Sequence, residues 1–189
     1  MNRLFIVMTL SLALFAPAGH AETTVAGVKL PDDIQLAGER LVLNGAGIRS
    51  KFFIKVYVGA LYLRERSMAP DAILAMPGAK SMHMHMLYKE VSAEKIRDGW
   101  TDGFKANLSG PAFDRLQPRL RRFNALFPAL HAGEHVEMNY LPGTGTELRI
   151  NGRLLGTIEG ADFFAALLTV WTGDKPADKA LKRGLLGNH

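Results

Sequence analysis

Residues 45–63, GAGIRSKFFIKVYVGALYL, confine this chain to folds that hold a long extended segment inside a sheet. The apolar Ile48, Phe52, Ile54, Val56 and Val58 are all even-numbered. Successive side chains of a strand point to opposite faces, so this even row is expected to pack into a core. The odd row differs in kind: Arg49, Lys51, Lys55 and Tyr57. A solvated face accounts for the two lysines, whose stems reach along apolar surface to water. It accounts less well for Arg49 and Tyr57 in a strand long enough to be central. From the residues alone, the odd row faces either solvent or a cleft. In a cleft, a guanidinium fork holds a carboxylate through two parallel hydrogen bonds, and a phenol donates a third.

Turn and period signals divide the remainder. Val25–Leu30 reads as a short strand, and a hairpin is expected between Ile34–Leu36 and Leu41–Leu43. Asn44-Gly45-Ala46-Gly47 reads as a turn feeding one long strand over 48–63, bent at Gly59. A short helix is expected over 68–76 and a strand over 80–89. Ser92 N-caps a helix to about Leu108, with Ile96, Trp100, Phe104 and Leu108 on one face. A second helical region runs through Phe127, with a kink or a break expected at Pro118. Three meandering strands follow, over 136–141, 147–150 and 153–158, the last two joined at Asn151-Gly152. Helices over 160–172 and 179–186 close the chain. Meandering strands with clustered helices define an α+β domain built on an antiparallel sheet.

Residues 1–21 are set aside as a cleavable leader: a positive start at Arg3, an apolar run over 4–15, then small residues ending at Ala21. Export to the periplasm or beyond is therefore expected, with residues 22–189 forming one domain and no stable membrane span after cleavage. The chain has no cysteine, which excludes disulfides, thiol catalysis and thiolate metal sites. Its net charge of +5 is scattered rather than drawn into a groove with interleaved aromatics, so nucleic acid is not an expected partner.

Other constellations are weaker. In "MHMHM", residues 82–86, His83 and His85 share one strand face and three methionines the other. Two histidines supply half of a tetrahedral site, and nothing in the sequence places His131 or His135 beside them, so no metal and no cofactor are expected. Ser50 and Ser109 lack the nucleophile-elbow pattern. Asp98 with Asp102, and the stripe Arg115, Arg119 and Arg122, read as solvated helix faces.

The segment "NGAGIRSKFFIKVYVGALYL" closely resembles the signature of the chalcone isomerase superfamily, in particular its bacterial exported branch. The resemblance continues through "EVSAEKIRDGWTDGFKANL", "FNALFP" and "YLPGTGTELRINGRLLGTIEGADFFAALLTVWTGDKP". It implies an open-faced β-sandwich, a large antiparallel sheet covered by a layer of helices with a ligand cleft between them. The superfamily holds true isomerases and non-catalytic fatty-acid-binding members. Arg49 matches the catalytic Arg of the isomerases, and Tyr57 stands where they carry a Thr. A Tyr there, paired with the Arg, resembles the fatty-acid-binding branch, in which the two hold the ligand carboxylate. The isomerases also need a Tyr, a Lys and an Asn. Here Val91 matches the Tyr, Glu94 or Lys95 stands near the Lys, and Asp98 matches the Asn; Thr169 or Val170 falls at their late Thr.

The function expected on reading and resemblance together is a non-catalytic binding protein for an amphipathic carboxylate such as a fatty acid. Arg49, Tyr57, Lys55, Trp100 and Phe104 are its expected ligand-binding residues, with walls that include Phe163, Phe164, Leu167 and Trp171. The alternative is an intramolecular lyase of the chalcone isomerase type, with Arg49 and Tyr57 as its candidate catalytic pair. No protein partner is legible.

Overall fold

The computed structural model describes residues 22–187, so the expected leader lies outside the described residues. In chain order the elements are β1 Glu22–Val25, β2 Val28–Pro31, β3 Asp33–Leu36, β4 Glu39–Lys51 and β5 Ile54–Leu63. Helix α1 Pro70–Ala75, β6 Lys80–Met86 and β7 Glu90–Val91 follow. Two longer helices, α2 Ala93–Asn107 and α3 Gly110–Ala125, lead to β8 Leu130–His131. The chain closes with β9 His135–Leu141, β10 Gly145–Ile150, β11 Arg153–Ile158, α4 Ala161–Thr172 and α5 Lys179–Leu185.

Seven strands form one antiparallel sheet in the order β11-β10-β9-β6-β5-β4-β3. Its two faces are unequal. Met82, Met84, Val136, Met138 and Leu148 on one face meet the buried sides of α2, α3 and α4 in the main core. The other face carries a smaller apolar cluster, Leu41, Leu43, Val58 and Tyr62, under the β1–β2 hairpin. The architecture is α+β: a large antiparallel sheet with one helical layer, an open-faced β-sandwich.

Several sequence expectations change. The single strand over 25–30 is a hairpin, because Ala26 and Gly27 both take positive φ and reverse the chain. The long strand over 48–63 is two strands, β4 and β5, joined by a two-residue turn at Phe52-Phe53 with φ of 48° and 67°. Those phenylalanines are exposed, 84% and 104%, so the even row does not lie in the core throughout. Asn44–Gly47 is not a turn but the interior of β4. The glycines there serve close approach: a Cβ on Gly45 would lie 2.2 Å from the Gly184 carbonyl oxygen of α5, and one on Gly184 would lie 2.4 Å from the Ala46 oxygen. Pro118 neither splits nor ends α3. Phe113, Leu116, Leu120 and Phe123 are all buried on the core side, and that packing outweighs the local cost of the missing N–H, about 3 kcal/mol.

The strand expected over 80–89 stops at Met86, where the Leu87 and Tyr88 N–H groups turn to the Val56 carbonyl, at 2.9 and 3.1 Å. The Arg stripe on α3 is partly engaged. Arg119 forks onto Asp162 at 2.7 and 2.6 Å, and Arg122 reaches Glu159, so the stripe ties α3 to the start of α4.

Candidate ligand cleft

Two β-bulges decide which side chains face the helical layer. In β4, Asn44 is an extra residue between the pairs Leu43↔Tyr62 and Gly45↔Leu61. It flips the alternation, so that Leu41 and Leu43 face outward whereas Gly45, Gly47 and Arg49 face the helices. The Asn44 amide is engaged at both ends: Nδ2 donates to the Leu185 carbonyl at 2.7 Å, and Oδ1 accepts from the Ser67 N–H at 2.7 Å. In β5, Val56 is the extra residue between Ser50↔Lys55 and Arg49↔Tyr57. It too flips the alternation. Ile54 and Tyr57 line the cleft, while Lys55 lies outside the lining of either cavity described below.

Arg49 and Tyr57 are thus directly opposed across the β4–β5 ladder, with the guanidinium carbon 5.7 Å from the centre of the Tyr57 ring. Tyr57 is buried and its hydroxyl accepts a hydrogen bond from Trp171 Nε1 at 2.8 Å. Burial pushes the phenol pKa up, partly opposed by the charge of Arg49 and the Trp171 donor. At neutral pH it is a neutral phenol with one hydrogen left to donate.

Asp178, the N-cap of α5, stands near Arg49. Its carboxylate accepts from the backbone N–H groups of Ser50, Ala180 and Leu181. Burial pushes its carboxyl up, but those three donors and Arg49 outweigh the effect and hold it below the usual carboxylate range.

Two cavities meet at these residues. The inner one, about 50 Å³, is lined by Arg49, Tyr57 and Trp100 among apolar side chains such as Met84, Ile96 and Leu130. The outer one, about 670 Å³, is a groove between the β4–β5 tip and α2 that shares Arg49, Val56, Val91, Lys95, Gly99 and Ala177 with the inner pocket. Phe52, Ile54 and Tyr88 border it, with Lys51, Asp98 and Asp102 at its polar edge. Arg49 Nε and Trp100 Nε1, on two residues that line the inner pocket, are buried and have no hydrogen-bond partner among the described residues.

The expected site residues therefore separate. Arg49, Tyr57 and Trp100 come together. Phe104 is wholly buried against Phe163 in the main core, and Phe163, Leu167 and Trp171 are also core residues. Phe164 borders a different cavity beside Tyr140 and Lys80. Of the alternatives at the helix positions, Lys95 rather than Glu94, and Val170 rather than Thr169, line the inner pocket. Thr169 Oγ1 instead donates to the Ala166 carbonyl at 2.7 Å.

A second polar cluster lies on the opposite sheet face. The alternation that buries Met82, Met84, Val136 and Met138 under the helices turns His83, His85, His135 and Glu137 outward. His85 and His135 are direct cross-strand partners, and their rings stack with centroids 4.1 Å apart at 10°. His135 Nε2 is 3.2 Å from His83 Nδ1. Burial lowers all three pKa values, that of His83 well below 6.5 and that of His85 to about 4, and for both the nearby His135 adds to the effect. The signal for His135 was present in the sequence, since His135-Val136-Glu137-Met138 repeats the alternation of "MHMHM". Only the strand register was missing.

A seven-stranded antiparallel sheet under one helical layer, with an Arg–Tyr pair at the base of the cleft, defines an α+β open-faced sandwich of the chalcone isomerase type. The chain belongs to the chalcone isomerase-like family, which it matches over residues 22–187. No curated protein matches it. Among solved structures it is similar to a fatty-acid binding protein of Arabidopsis thaliana, with a TM-score of 0.69 at 15% identity. That alignment covers 89% of this chain and 97% of the plant protein. At that identity the likeness is one of fold.

Proposed function

We propose that this protein is an exported, non-catalytic carrier of an amphipathic carboxylate, most simply a fatty acid. The carboxylate sits in the inner pocket at Arg49 and Tyr57, and the acyl chain runs out along the groove. The observation that carries this reading is a pair of buried donors without partners among the described residues, Arg49 Nε and Trp100 Nε1, on two side chains that line one small pocket with apolar walls. A buried donor left unpaired costs about 1–3 kcal/mol, a debt that a carboxylate oxygen would remove. The Tyr57 hydroxyl, held by Trp171, supplies another donor from a fixed position.

The groove of about 670 Å³ falls in the range of small-molecule clefts, about 300–1,000 Å³. Each methylene it buries contributes about 0.8 kcal/mol. The family also contains isomerases, but Val91 and Val170 present no proton-handling group to the inner pocket. Binding needs only what is there. Export is supported by the leader pattern of residues 1–21, and no helix among the described residues is long and apolar enough to cross a membrane.

Calorimetry on delipidated protein tests the proposal. A long-chain fatty acid should bind one to one, and Arg49→Ala should weaken it about tenfold or more, since a hydrogen bond to a charged group is worth about 1.5–3 kcal/mol. Equal affinity of parent and variant would remove Arg49 from the site.

A further inference from the structure

We propose that His83, His85 and His135 form a three-histidine binding site for a divalent transition-metal ion of the zinc class, with Glu137 orienting His135. The site lies on the opposite sheet face from the carboxylate cleft and does not depend on it. One ring nitrogen from each histidine can be chosen so that all three lie within 4.8 Å of one another. A tetrahedral ion with metal–nitrogen bonds of about 2.0–2.1 Å holds its ligand nitrogens roughly 3.3 Å apart. His135 Nε2 and His83 Nδ1 already stand at 3.2 Å. His85, stacked on His135, would have to turn about its side-chain bonds to direct a nitrogen at the same ion.

Packing does not explain the cluster. His83 is 6% exposed, and its Nε2, like that of His85, is buried with no hydrogen-bond partner among the described residues. Two buried polar nitrogens without partners are costly where valines or leucines would pack freely. A bound cation would give His85 Nε2 such a partner, with His83 ligating through Nδ1.

Imidazole ligands without thiolates favour Zn(II), Cu(II) and Ni(II) over calcium or magnesium. The Glu137 carboxylate lies 3.5 Å from His135 Nδ1. A carboxylate on that side would favour the proton on Nδ1 and leave Nε2, the atom nearest His83, to ligate. Asn139 Nδ2 in turn donates to Glu137 at 3.3 Å. Three protein ligands leave a fourth position open.

The test uses untagged, chelator-stripped protein titrated with Co(II) alone and then with Zn(II). One equivalent of Co(II) per chain should give the intense visible bands of a four-coordinate ion, and Zn(II) should bleach them. His135→Gln, at the partly exposed ligand, should lower affinity at least a hundredfold while the far-ultraviolet dichroism stays that of the parent. Glu137→Gln should lower it about tenfold to a hundredfold. His131→Ala, at an exposed histidine paired with Glu90 and Glu134, should change nothing. Only weak octahedral bands, a stoichiometry away from one, or binding retained in His135→Gln but lost in His131→Ala would each overturn the site. His83→Ala, at the most buried ligand, repeats the measurement wherever that variant folds.

Discussion

At the scale of single residues, Arg49 separates binding from stability. A positive charge partly removed from water is costly unless paired, and its Nε has no partner among the described residues. The neighbouring Asp178 attracts the guanidinium, but three backbone donors hold its carboxylate first and remain when Arg49 is replaced. Arg49→Met, similar in length but uncharged, should leave the ligand-free protein as heat-stable as the parent or more so. The same change should abolish the stabilisation that fatty acid gives, because a ligand raises stability only by binding the folded state. A variant that melts well below the parent would instead make Arg49 part of the architecture.

The buried histidines set a second expectation at this scale. An unfolded imidazole titrates near pH 6.5, whereas that of His85 in the folded chain titrates at about 4. Between those values the unfolded chain binds the extra proton. Stability present above about pH 6.5 is therefore lost progressively as pH falls toward 4. His83 and His135, also lowered, act in the same direction. Melting temperatures of chelator-treated protein over that interval should fall toward acid, and His85→Gln should flatten the slope.

At the scale of elements, the β4–β5 tip is built against its own propensities. A two-residue hairpin turn with positive φ at both positions favours Asn-Gly, yet Phe52 and Phe53 occupy it and stand in solvent. Neither burial nor backbone preference rewards them there, but Phe52 and Ile54 border the groove. Replacing Phe52-Phe53 with Asn-Gly should stabilise the free protein by about 1 kcal/mol and weaken fatty-acid binding. Denaturant melts and calorimetry on that variant check both halves; a gain in affinity would be the contrary result.

The α5–β4 contact behaves oppositely. At Gly184 an added Cβ would lie 2.4 Å from the Ala46 carbonyl oxygen, with backbone on both sides. Gly184→Ala should therefore cost about 3 kcal/mol. It should also disturb binding, because α5 carries Asp178 to the side of Arg49.

At the scale of the whole molecule, one sheet serves two faces, and its strands carry different chemistry on each. The apolar face meets the helical layer and, where the layer parts near the Phe52–Phe53 tip, leaves the groove. Because helices and sheet share one core, ligand binding is coupled to global stability. Fatty acid at a hundred times its dissociation constant should add about 2.7 kcal/mol. For a domain of this size that is roughly 5–10 °C in melting temperature. Scanning calorimetry with and without ligand reads the shift, and no shift at saturating ligand would exclude a site within the folded core.

Local pattern alone determined much of this protein. The Ser92 cap and the spacing of Ile96, Trp100 and Phe104 specified α2, and Asn151-Gly152 specified the β10–β11 hairpin. Period and turn chemistry act within a few residues and so are legible there. The matching numbers of Arg49 and Tyr57 pointed correctly to one face, but for a reason that parity could not supply. Bulges at Asn44 and Val56 reset the alternation, and a turn at Phe52-Phe53 folds the two residues against each other. Lys55 shows the cost of that ignorance: it shares their parity, and the Val56 bulge turns it away from the cleft. Asn44–Gly47 and His135 were decided by tertiary structure for one physical reason. A glycine suits both a turn and a close helix contact, and a histidine suits both water and a buried cluster of rings. Only the partners brought from α5 and from β6, distant in sequence, select between those states.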